Sequence, residues 1–213
     1  MKKINFLIKN SIAILTIVVL VFYGFAFMEP VLVVAVEATD SIGVNQSVTA
    51  GITISAPADI TMTALSLTQD SAVGDASWTV ITNNQAGYAL TIKASAAPAL
   101  VDSGTSESFA DYTSTTKETW SVTNAFEFGW SAYGNHTTGH GTDTDCIAGA
   151  DVPSAGLLWE GLDGTTPIQM ASSTSETNMA GTVTTICVAT EQDTVFAPSG
   201  TYTATLTATA TSL

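Results

Sequence analysis

The chain's two histidines, His136 and His140, lie four residues apart and close to Asp143, Asp145 and Cys146 in the segment NHTTGHGTDTDC. Imidazole, carboxylate and thiol make up the donor set of a transition-metal centre, and this spacing would put two imidazoles on one face of a helix. The segment is rich in Gly and Thr and has no helical periodicity, so nothing in it would hold such a face together. The plainer reading is a solvated loop pinned near Cys146. Calcium is the better metal candidate, because hard oxygen ligands such as Asp143, Asp145, Asp151 and Asp163 crowd these loops. Asp143-Thr144-Asp145 is followed by Cys146 rather than the glycine that turns an EF-hand loop. The competing reading of these carboxylates is therefore surface charge that serves solubility.

Other chemistries find less support. There is no G-x-S-x-G elbow, no Ser or Cys with a His and an Asp evidently in register, and no Gly-rich phosphate loop. Glu127 and Glu160 both lie in strand-like segments and are the pair that glycoside hydrolysis would use. Carboxylates on the solvent face of a strand are ordinary, however. Trp78, Trp120, Trp130 and Trp159, with Tyr88, Tyr112 and Tyr133, could form a sugar-stacking platform. Most of them alternate in phase with apolar neighbours and so read as core, which leaves Tyr133 and Trp159 as candidate glycan contacts. Lys93 lies in a strand, but out of phase with Leu90 and Ile92, a poor placement for a self-made isopeptide crosslink.

The elements that would position these residues are strands. Thr201 to Thr211 alternate strictly with Tyr202, Ala204, Leu206, Ala208 and Ala210, the signature of a half-buried strand. Residues 48–67 read as two short strands about a Pro57-Ala58-Asp59 break. Residues 77–95 read as a hairpin, with Trp78 and Val80 answered by Tyr88, Leu90 and Ile92 across Asn83, Asn84 and Gly87. Residues 96–118 read as a long loop from which Phe109 and Tyr112 dip into the core. Phe126, Phe128, Trp130 and Ala132 alternate with Glu127, Gly129 and Ser131. A second irregular stretch, 134–153, precedes strand candidates at 157–159, 167–171 and 182–190 and the turn 197–200. No segment after residue 38 carries apolar residues at helical spacing over three turns. The pattern predicts an all-β fold, an antiparallel two-sheet sandwich or jelly roll, preceded by an N-terminal signal helix.

That helix is read from the leader. Lys2, Lys3 and Lys9 precede an apolar run from Ser11 to Met28, and Val36-Glu37-Ala38 offers a small-residue exit with cleavage after Ala38. The alternative is an uncleaved signal anchor, the only way this chain would touch a membrane. Either reading sends residues 39–213, taken as one β-sandwich domain, outside the cell. In that compartment the two cysteines, Cys146 and Cys187, pair by default; a buried free thiol at Cys187 or a metal-ligating Cys146 are the alternatives. Lys2, Lys3, Lys9, Glu29 and Glu37 all lie before residue 39, so the remainder carries two lysines against 17 carboxylates and no arginine. A net charge of −15 without a basic patch excludes nucleic acid as a partner and repels anionic membranes. With abundant threonine, it suits an acidic surface protein.

The segments ITISAPADITM, SWTVITNNQAGYALTIKAS, FADYTS with TWSV, FEFGWSAYG and APSGTYTATLTATATSL resemble a pattern in uncharacterised exported β-sandwich surface proteins of small-genome bacteria. The resemblance implies a surface location and no activity. A weaker likeness is to WxL-domain cell-surface proteins, which associate noncovalently with the cell wall. Here Trp78-Thr79-Val80 stands where that family has W-x-L, and the closing strand has no second tryptophan. Pilins and other fibre-forming sandwiches are an architectural analogy. The expectation is a noncatalytic envelope, adhesive or fibre component without a cofactor other than calcium, with envelope or extracellular partners and scope for oligomers or fibres. A glycan-binding module or glycan-acting hydrolase is the alternative.

Overall fold

The computed structural model describes residues 2–26, 37–112, 116–162, 164 and 166–213. It divides into two units, Met1–Ser47 and Val48–Leu213. In the first, helix α1 (Lys2–Ala26) covers most of the apolar N-terminal run, and residues 37–47 have no regular structure. Among the described residues no helix is long and apolar enough to cross a membrane.

The second unit is built of strands rich in Val, Ile, Thr and aromatic residues, the types that suit a pleated, packed surface. They are β1 (Ile52–Ile54), β2 (Ser71–Thr82), β3 (Tyr88–Ala94), β4 (Val101–Asp102), β5 (Ala110–Asp111), β6 (Phe126–Gly134), β7 (Ile168–Ser173), β8 (Thr182–Gln192), β9 (Tyr202–Thr203) and β10 (Leu206–Ser212). One sheet has the order β1-β2-β8-β6-β5, a second β10-β3-β7, and β4-β9 form a small third. The two larger sheets share one core. Trp78, Val80, Phe128, Trp130, Ile186 and Val188 from the first meet Tyr88, Leu90, Ile92, Met170 and Ala171 from the second. As expected, Phe109 and Tyr112 return from the 96–118 stretch to buried positions.

Three expectations are corrected. Strands β2 and β3 are not a hairpin: β2 pairs with β1 and β8, β3 pairs with β10 and β7, and the Asn83–Gly87 turn carries the chain from one sheet to the other. Alternation alone puts Trp78, Val80, Leu90 and Ile92 in the core in either arrangement, so the pattern could not separate them. The five-stranded sheet is mixed, because β5 returns beside β6 in parallel register. Of the two strands expected in 48–67 only β1 forms, whereas Ile60, Met62 and Leu65 are packed against the core without pairing.

The arch between sheets depends on Gly87. Its φ is +89°, its N–H donates to Asn84 O at 3.0 Å, and a Cβ there would collide with Ser173 O. Gly87→Ala should therefore cost at least about 1–3 kcal/mol from the backbone conformation alone, read as a lower urea midpoint. An unchanged midpoint would show that the arch tolerates a side chain.

Beyond the shared core, the outer face of the five-stranded sheet is also covered. Tyr112, Cys146, Leu157 and Trp159 pack on Val73, Cys187 and Ala189, with Trp120, Tyr133 and Ile147 at the margin. Hence β8 is buried along almost its whole length, Cys187 and Ala189 on one face and Ile186 and Val188 on the other. The fit is close: a Cβ on Gly129 would stand 2.7 Å from Trp120 Cζ3. Cys146 and Cys187 form the disulfide that ties this cover to the sheet.

Candidate functional site

The strongest concentration of buried polar chemistry lies within that cover. The backbone of Trp159 pairs with Glu118, and that of Glu160 with Trp130 on β6. These pairings bring Lys117 beside Glu160, with Lys117 Nζ 3.6 Å from Glu160 Oε1 and donating to Thr138 O at 2.6 Å. His140 Nε2 faces the same oxygen at 3.9 Å. The imidazole is 1% exposed, and its ring centre lies 4.7 Å from that of Trp130. Because Leu158 O can only accept, the 3.3 Å approach of Nδ1 makes that nitrogen the donor, and Nε2 turns a bare lone pair toward the carboxyl. Neither Nε2 nor Glu160 Oε1 has a hydrogen-bond partner among the described residues.

Burial, and then the Lys117 ammonium, lower the His140 pKa to about 3, so the imidazole is neutral at physiological pH. Burial raises the Glu160 carboxyl, against the opposing pull of Lys117. His140 ordinarily titrates near 6.5, so below that pH the unfolded chain takes up a proton that the folded chain refuses. Its contribution to stability falls as pH drops toward 3. Glu160 acts in the opposite sense, its contribution being present in acid and lost as pH rises through its raised value. His140→Gln keeps a donor for Leu158 O and removes the titration. The variant should lose about 2–3 kcal/mol less than the parent between pH 7 and pH 4, measured by urea melts. Equal acid losses would rule out His140 as the titrating group.

Glu127 and Glu160 are both buried, a correction to the solvent-facing placement expected of them, and they are held by different partners. Glu127 is closed off by Thr123 N at 3.2 Å, Thr123 Oγ1 at 2.9 Å, Asn124 N at 3.0 Å and Asn124 Nδ2. These bonds offset its register opposite Glu191 on β8. Glu191 accepts from Trp120 Nε1 at 2.6 Å, and its carboxyl is raised first by burial and further by Asp70, Asp193 and Glu127. Both carboxylates are thus committed to folding the cover.

The metal candidates are likewise spent locally. Asp143 accepts from Ser154 Oγ across the loop, and Asp145 accepts from Ile147 N at 3.1 Å, closing its own turn. Asp163 lies outside the described residues. The two histidines are not brought together: His140 is buried, whereas His136 is exposed at φ +68°, its Nδ1 3.3 Å from Tyr88 Oη. Among the described residues no group of three or more His, Cys, Asp or Glu could hold a metal ion.

Trp159 is fully buried and donates its indole N–H to Ser154 O at 3.1 Å, so it presents no face to a sugar. Tyr133 is half-buried at the margin of the cover. Lys93 is exposed on β3, opposite Thr207. Sequence reasoning missed Lys117, which lies in an aperiodic stretch, and the enclosure of His140. Only the two backbone pairings just described unite them with Glu160, and no local pattern signals those. No family model, characterised protein or solved structure matches the chain.

Proposed function

We propose that the chain is a noncatalytic, exported β-sandwich protein that works at the cell surface through contacts, as an envelope, adhesive or fibre component. The observation that carries this reading is the disulfide between Cys146 and the central strand β8. A cystine that ties a buried layer to the sheet suits an oxidising compartment. The basic and apolar leader, the acidic surface and the resemblance to exported surface proteins agree with it. So does the enclosure of the one histidine that stands near a carboxylate. Its imidazole is 1% exposed and lies beside Trp130 and Glu160.

Expression of the full chain with a C-terminal epitope, followed by protease shaving of intact cells and thiol alkylation, tests the reading. The expected result is epitope at the surface or in the medium with no alkylatable thiol. A cytoplasmic protein with two free thiols per chain would overturn it. The glycan reading keeps Tyr133 but loses Trp159, and saturable binding on a glycan array would restore it.

A further inference from the structure

Two segments of the chain, residues 42–54 and β10, carry strand surfaces that are only partly paired. Residues 42–54 read IGVNQSVTAGITI, with Ile42, Val44, Val48, Ala50, Ile52 and Ile54 at alternate positions interrupted only by Gln46. This is the period of an amphipathic strand, yet the backbone pairing with β2 reaches back only to Gly51. Ile42, Val44 and Val48 are 88%, 86% and 80% exposed. Ordering such a segment as a strand costs conformational entropy, which burial of these apolar side chains against a partner would offset.

The complementary surface is β10. It lies at the edge of its sheet and pairs only with β3. Edge strands are usually short, bulged, or guarded by lysine or proline, because their free N–H and C=O groups recruit other chains. β10 is seven residues long, pairs with β3 in unbroken register, and has no charge or proline. The opposite edge of the same sheet is capped, with Thr138 N bonded to Met170 O and Ser172 N to His136 O. Leu206, Ala208 and Ala210 of β10 and Ile52 of β1 are only partly buried against the core. The core therefore has a half-covered apolar rim on this side. Residues 41–54 also carry no charge, so the two surfaces meet without repulsion in a chain of net charge −14.

We infer that residues 42–48 of one copy add as a strand to the free edge of β10 in a second copy, joining subunits head to tail. Both segments are seven residues long, roughly 23 Å of strand. The added side chains of Ile42, Val44 and Val48 extend the core beyond Leu206, Ala208 and Ala210. A second copy is favoured over the same chain because Asn83 clamps the base of the arm. Its Oδ1 accepts from Gly51 N at 2.7 Å, its Nδ2 donates to Thr49 O at 2.8 Å and its N donates to Gly51 O at 3.4 Å. These bonds hold residues 49–51 in line with β1, without the reversal that self-pairing needs. Such an interface is heterologous and propagates as a fibre unless it closes into a ring.

This inference rests on the proposed surface role and names its partner. The test uses the full chain exported by a bacterial host and purified in the form the host yields. Light scattering and electron microscopy from about 1 μM upward should show oligomers growing with concentration. Val44→Asp with Val48→Asp should cut the oligomer fraction more than tenfold and leave the melting temperature of the monomer unchanged. Mixing Val44→Cys chains with Ala208→Cys or Ala210→Cys chains under mild oxidant should give disulfide heterodimers. Monomers at every concentration, crosslinks within one chain when both cysteines share it, or crosslinks only between two β10 edges would each overturn the inference. A surface-exposed protein that stays monomeric would refute strand exchange and leave the surface role standing. Oligomers from a cytoplasmic protein would do the reverse.

Discussion

Replacing Cys146 and Cys187 together by alanine should lower stability by about 4 kcal/mol, which for a domain of this size is a fall of roughly 8–16 °C in melting temperature. The sequence separation of 41 sets the entropic part, since the crosslink removes that loop's freedom from the unfolded chain. The native side adds to it. The cover that Cys146 secures has few regular strand pairings, and several residues in it hold positive φ, among them Gly139, Gly141, Gly149, Ala150 and Asp151. It stays on the sheet by burying Leu157 and Trp159, and by the cystine that fixes it to β8. Without that bond, local opening of 134–162 would expose Trp159 and let water reach His140 and Glu160 before the shared core unfolds. Tryptophan fluorescence should then report a transition ahead of the circular dichroism. A double variant within about 1 kcal/mol of the parent, with coincident transitions, would show that packing alone holds the cover.

The strands themselves were legible, because period-2 alternation is a local property. Phe126, Phe128, Trp130 and Ala132 could be assigned to the core without knowing their neighbours, and two cysteines in a chain expected to be exported could be joined. What the alternation concealed is a second buried layer. Glu127, Gly129 and Ser131 read as a solvent face, since a polar residue in phase with water looks the same as one roofed by another segment. Glu127 is affordable inside only because Thr123 and Asn124 give it four donors, and Gly129 is there because Trp120 and Tyr112 leave no room for a Cβ. The site was hidden for the same reason. Lys117, His140 and Glu160 come from three separate stretches, and their meeting is a product of non-local backbone pairing that no spacing rule encodes.

Truncation after Gly200 should abolish folding or drive aggregation, even though the strand it removes lies at an edge. Alternation could identify β10 as a strand but not its place in the sheet. Its pairing runs through seven residues, Leu206↔Ala94 to Ser212↔Tyr88, so removal exposes the whole outer edge of β3. That edge borders Tyr88, Leu90 and Ile92, all fully buried. Leaving their backbone groups unpaired beside the core costs far more than a frayed terminus would. The cut also removes β9 and with it Tyr202, whose ring meets Phe109 edge-on at 5.0 Å. Asp102, lowered chiefly by the N–H of Gly104, further loses its bond from Thr201. A shorter cut after Thr205 separates the two contributions, because it keeps β9 on β4 and strips only β10. If β10 closes its own domain, both truncated proteins should melt early or fail to express as soluble monomers. If the strand serves only as a docking edge for a neighbouring arm, the cut after Thr205 should yield a monomer of undiminished melting temperature that no longer associates. The unbroken register with β3 favours the first outcome, with the outer edge of the same strand free to take the arm. On this account one strand closes the domain with its inner edge and extends the assembly with its outer one, so edge substitutions such as Ala208→Cys are the informative ones.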